Sequence, residues 1–137
     1  MTSSTASELT AAAPSFADIE HAAARIRAQV VRTPLLESPL LNERLGGRVL
    51  VKPECLQKTG SFKFRGATNN IACLSDAQRR AGVVAFSSGN HAQGIAHAAS
   101  LQGIPSVIVM PADAPDIKIA NTRNFGAEVI LYDRFTE

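Results

Sequence analysis

Lys63 is the residue of this chain best placed to act as a nucleophile. It stands in Thr59-Gly60-Ser61-Phe62-Lys63-Phe64-Arg65-Gly66-Ala67, just past a Gly-Ser turn and between two phenylalanines, where a helix should begin. Apolar neighbours and a positive helix N-terminus both disfavour an ammonium. The pattern therefore predicts an amine that gives up its proton more readily than a solvated lysine does. Such an amine can form a Schiff base with a carbonyl. The competing reading is an ordinary amphipathic helix whose lysine reaches out to water. Lys58 has no flanking apolar pair and is the weaker candidate.

A second stretch, Ser87-Ser88-Gly89-Asn90-His91-Ala92-Gln93-Gly94, follows an apolar run and opens another helix. In α/β sheets ligands bind beyond the carboxyl ends of strands, where helices begin. Backbone amides and hydroxyls at such a turn make an anion pocket. Taken alone, the same residues read equally well as a simple N-cap. His91 should be mostly neutral beside a helix N-terminus, and a capping or orienting role suits it better than catalysis.

As a pair, Gly-Ser-Phe-Lys-Phe-Arg-Gly-Ala and Ser-Ser-Gly-Asn-His-Ala-Gln-Gly resemble the fold-type II pyridoxal-phosphate enzymes, which share the tryptophan synthase β-like fold. The closest likeness is to the threonine/serine dehydratases, with serine racemase and hydroxyaspartate dehydratases as near relatives. It runs from roughly Ile19 to the last residue. The resemblance implies that Lys63 holds pyridoxal phosphate as a Schiff base, that Phe62 packs near its ring, and that Asn90 bonds its 3′-hydroxyl. It also implies that Ser87, Ser88, Gly89, Asn90 and His91 grip the substrate carboxylate. Ser88 matches the serine that faces Lys63 across the cofactor in the racemases, so a two-base reaction is conceivable. The implied activity is an ammonia-lyase acting on L-threonine or L-serine, small β-hydroxy amino acids, to give a 2-oxo acid and ammonia. Serine racemase or hydroxyaspartate dehydratase is the alternative, and a non-catalytic remnant or regulatory partner is a third. The full-length form would be a homo-oligomer. The family's glycine-rich phosphate loop matches nothing among the nine glycines here, so this stretch by itself should be inactive.

These side chains need elements to hold them. Ser15 and Asp18 form a capping box, and Phe16, Ile19, Ala23, Ile26 and Val30 recur at helical spacing after it. Thr33-Pro34-Leu35 reads as extended chain. Ser38, Pro39 and Gly46-Gly47 bound a short second helix, and Arg48–Val51 reads as a strand closed by Pro53. The helix begun at Ser61 carries Phe64, Ala67, Ile71 and Leu74 on one stripe, with Lys63 about 100° from Phe64 at its edge. Ser75-Asp76 caps a helical turn, and Gly82 precedes a strand at Val83–Phe86. A helix from His91 to Leu101, a strand from Pro105 to Met110, a helix from Asp116 to Phe125 and a strand from Glu128 to Tyr132 complete the alternation. The reading is an α/β fold: a parallel sheet with flanking helices and right-handed crossovers, incomplete at its C-terminus. It divides into a disordered tail at 1–14, the N-terminal part of a large domain at 15–53, and most of a small α/β domain at 54–137.

Composition narrows the function classes. A net charge of +2 and a single tyrosine, Tyr132, argue against nucleic-acid binding. No apolar stretch reaches spanning length, so no membrane role is expected. The first fourteen residues lack the Lys and Arg that secretory and mitochondrial leaders need, which points to the cytoplasm. Cys55 and Cys73 form no CxxC pair, and His21, His91 and His97 show no ligand spacing, so no metal site is expected. A nucleotide-binding module would need a GxGxxG after a strand, and there is none.

Overall fold

The computed structural model describes residues 13–136; all but the last two residues of the expected tail lie outside them. The chain begins with α1 (Phe16–Ile26), opened by the expected capping box of Ser15 and Asp18. Of its apolar stripe only Ile26 is buried, while Phe16 and Ile19 are exposed. β1 (Leu36–Glu37) pairs antiparallel with β2 (Leu50–Val51), and α2 (Pro39–Leu45) lies between them. The expected strand at Arg48–Val51 is thus shorter, and its partner Leu36–Glu37 was not foreseen as a strand. Gly46 ends α2 at φ 64°, in the left-handed region that glycine adopts freely.

A turn of 3-10 helix at Glu54–Leu56 leads to α3 (Lys63–Ala72) and α4 (Asp76–Ala81), the latter with its own capping box of Ser75 and Gln78. Three parallel strands follow: β3 (Val83–Phe86), β4 (Ser106–Pro111) and β5 (Glu128–Tyr132). They are joined through α5 (Asn90–Ser100) and α6 (Asp116–Asn124). From α3 onward the helix and strand ends lie within two residues of the expected ones, whereas α1 stops at Ile26, before the expected Val30. α5 starts one residue early because Gly89 O already accepts from Gln93 N–H.

Strand order follows chain order, β3-β4-β5. Successive right-handed crossovers in one direction place both connecting helices on the same face. That face is the core: Phe64, Ile71, Ile108 and Met110 are fully buried there with the alanines of α5. Alanine at 92, 96, 98 and 99 leaves α5 slim enough to lie close to both the sheet and α3. The other face carries Val84 and Phe86, 75% and 79% exposed, beside Ile130. No described helix covers them.

Gly82 ties this sheet to its crossover. It sits at φ 84° between α4 and β3, and a Cβ there would lie 2.8 Å from the Pro105 carbonyl oxygen. Gly82→Ala should therefore cost about 2 kcal/mol or more, from backbone strain and a clash with main chain that cannot swing away. Gly94→Ala, whose new methyl would meet Ala67 and Lys63 at 3.4 Å, should change stability by less than about 1 kcal/mol. Urea unfolding of the two variants checks the contrast.

Candidate active site

The site begins with a loop fastened by side-chain hydrogen bonds. Gln57 is buried, and its side-chain amide bonds both backbone groups of Val31, at 2.9 Å each. Arg65 donates twice to Glu54, each time at 2.7 Å, and also reaches Val31 O. Thr33 donates to the same carboxylate at 2.6 Å, and Lys52 holds Thr33 O at 3.0 Å. The Arg65 hydrogen bonds, first of all, hold the Glu54 carboxyl down at about 2. This network pins the stretch before Lys63 to the extended chain after α1.

Lys63 is the first residue of α3, and Phe62 occupies the N-cap position. The two flanking phenylalanines part company. Phe64 turns fully into the core, whereas Phe62 is exposed, with its ring centroid 5.0 Å from Lys63 Nζ. The lysine is itself exposed, so the shielded stem expected from the sequence is not present here. A helical turn of about 100° per residue separates the two phenylalanines onto different faces. Lys58 lies on the Phe64 side, 5.9 Å from that ring.

Lys63 lines a cleft of about 270 Å³ with Phe62, Gly66, Ala67 and Asn70 from its own segment and His91 and Ile95 from α5. Gly66 and Asn70 follow Lys63 at helical spacing, a signal that sequence reading could have used and did not. Small residues at the contact permit this convergence: a Cβ at Gly94 would stand just at contact distance, 3.4 Å, from the Lys63 carbonyl and Ala67. A hollow of about 320 Å³ at Ala112, Asp113 and Tyr132–Phe135 holds the Asp113–Arg134 ion pair but no amine that could form a Schiff base.

The start of α5 has no side-chain cap. Ser87 Oγ accepts from Gly89 N–H at 3.2 Å instead of capping the helix. The first-turn amides are left free for an anion, which removes the plain N-cap reading of this loop. Asn90 Oδ1 accepts from Lys118 Nζ of α6 at 2.7 Å, a partner not foreseen from the sequence. Ser88 and His91 are exposed, and Ser87 and Gly89 are half-buried. The cleft thus brings Lys63 together with His91, but Ser87, Ser88, Gly89 and Asn90 do not line it.

His97 packs between Phe64 and Phe125, with ring centroids 5.2 and 4.5 Å away. Burial first, then the charge of Lys58, pushes its pKa down, so it serves as a neutral packing residue. Among the described residues no three His, Cys, Asp or Glu side chains gather as metal ligands, and no helix is long and apolar enough to cross a membrane.

An amine at one helix start with an aromatic ring beside it fits an aldehyde on an aromatic ring, and the uncapped helix end nearby fits a carboxylate. Residues 26–137 match the family of pyridoxal-phosphate dependent enzymes, and the chain belongs to it. Its cofactor is pyridoxal phosphate, and its fold is that of the fold-type II enzymes. The chain is 51% identical to L-threo-3-hydroxyaspartate ammonia-lyase of Saccharomyces cerevisiae over 90% of its length and 38% of that protein. It is 56% identical to L-threonine ammonia-lyase of Thermotoga maritima, over 83% of this chain and 28% of the other. The structure of maize serine racemase superposes with a TM-score of 0.81 at 46% identity, covering 84% of this chain and 35% of that one. The chain therefore spans less than two-fifths of the length of these proteins.

The Glu54 network sets a pH dependence. Its folded-state pKa lies below the unfolded one, so its stabilisation is full above the ordinary carboxylate range and is lost as pH falls toward about 2. Glu54→Gln, which strands Arg65, should cost about 2 kcal/mol at neutral pH. The gap from the unsubstituted chain should close as pH falls through that window. His97 also loses its contribution on acidification, but below the usual imidazole value and equally in both proteins. Urea unfolding as a function of pH measures the difference.

Proposed function

We propose that this chain carries the lysine-bearing part of an ammonia-lyase that converts L-threonine or L-serine to a 2-oxo acid and ammonia. The observation that carries this reading is the cleft in which Lys63, at the start of α3, meets His91, in the first turn of the uncapped helix α5. Pyridoxal phosphate, when bound, supplies the electron sink for charge developing at the substrate Cα. Lys63 would hold the cofactor and, as a free amine, take the Cα proton. Phe62, beside the amine, would pack against the ring, and Asn90 would bond the 3′-oxygen. Ser87, Ser88, Gly89, Asn90 and His91 would bind the substrate carboxylate, because the open end of α5 offers donors where a carboxylate needs them.

On the same reading, 15–53 belong to a larger domain and 54–137 to a smaller one, within a cytoplasmic homo-oligomer. A second reading is favoured by the hydroxyaspartate ammonia-lyase and the serine racemase among the similar proteins. In it the carboxylate-bearing substrate side chain, or proton return from Ser88, decides the outcome.

Borohydride reduction of the full-length protein loaded with pyridoxal phosphate, followed by peptide mapping, should place the label on Lys63. A label on Lys58, Lys52 or Lys118 would defeat the assignment. Ser88→Ala should lower racemisation of serine more than its elimination, since only racemisation needs a proton on the second face. Equal loss of both, by parallel assays of D-serine and pyruvate, would reduce Ser88 to a carboxylate ligand.

A further inference from the structure

Lys118 lies outside both motifs, yet its ammonium donates to the Asn90 side chain at 2.7 Å, across 28 residues of chain. An ammonium has three donors and no acceptor, so the amide atom facing it must be oxygen. The shape of an asparagine leaves its O and N interchangeable, and Lys118 removes that freedom. The Nδ2 group then remains as the donor that Asn90 can offer to a ligand. The contact is exposed but not isolated. One turn further along both helices, Asn121 Nδ2 donates to the buried Gln93 Oε1 at 3.2 Å. Residues 118 and 121 of α6 thus meet residues 90 and 93 of α5 in register, and Lys118 is held half-buried against α5.

We infer that Lys118 is a positioning residue of the active site. It turns the Asn90 amide so that its N–H donates to the 3′-oxygen of pyridoxal phosphate, and its charge, relayed through the amide dipole, favours the anionic form of that oxygen. The inference rests on the reading that Asn90 meets this oxygen. A hydrogen bond strengthened by charge is worth about a factor of ten in an ionisation equilibrium.

The test is the absorption spectrum of the full-length protein loaded with pyridoxal phosphate. It reads the ratio of the band with a protonated 3′-oxygen to the band with an anionic one, across a pH series. Lys118→Met should raise that ratio roughly threefold to tenfold at neutral pH, and Lys118→Arg should restore most of the original spectrum. In an Asn90→Ala background, adding Lys118→Met should change nothing further, because the relay is already broken. An unchanged spectrum in Lys118→Met, with borohydride still labelling Lys63, would overturn the inference and leave the proposed function standing. So would a shift of the same size with Asn90 removed, since Lys118 would then act by charge alone. Failure to label Lys63 in the unsubstituted protein would overturn the proposed function, and this inference with it.

Discussion

The close approach of α3 and α5 is the constraint from which the site follows. Gly94 has no Cβ, and the backbone of Lys63 lies at van der Waals distance from where one would stand. Ala67 faces the same spot, and the alanines of α5 keep the remainder of the interface thin. Two helices can come this near only where both present small side chains. The consequence is chemical. The start of α3 and the first turn of α5 share one cleft, so the Lys63 amine and His91 open onto the same space.

Polar pairing does the second half of the positioning. Glu54 serves Arg65 and Thr33 together, and Gln57 pairs with Val31 as a neighbouring strand would. The loop before Lys63 is thereby fastened from two sides with no more secondary structure of its own than the 3-10 turn at Glu54–Leu56. Phe64 anchors the helix from below, where it stacks on His97 and so extends through Phe125 toward β5. Lys63 takes no part in these hydrogen bonds and stays exposed.

The exposed sheet face has a topological cause. With β3, β4 and β5 in chain order, right-handed crossovers send α5 and α6 to one side, and Val84 and Phe86 on the other side are left uncovered. An apolar patch of this kind marks a surface that packs against something else. The similar proteins are more than twice as long as this chain, so they have further segments with which to cover such a face.

Local signals were enough to read most elements from residue order. Caps at Ser15, Ser38 and Ser75, the stop at Gly46, and the spacing of Phe64, Ala67 and Ile71 act within a few residues, and the structure follows them. Lys63 and the Ser87–Gly94 stretch were legible for the same reason, as short motifs at helix starts. The stripe also sent Phe64 to the core, where the structure has it, but sequence could not show that Phe62 would stay exposed beside the Lys63 amine. Nor could it pair Leu36–Glu37 with Leu50–Val51, Glu54 with Arg65, or Lys118 with Asn90. Those partners lie 11 to 28 residues apart for the side-chain pairs, and neither residue type names the other. Local chemistry set what each segment could become. Only packing in three dimensions decided which polar groups would satisfy one another, because that depends on which backbones can approach closely enough to meet.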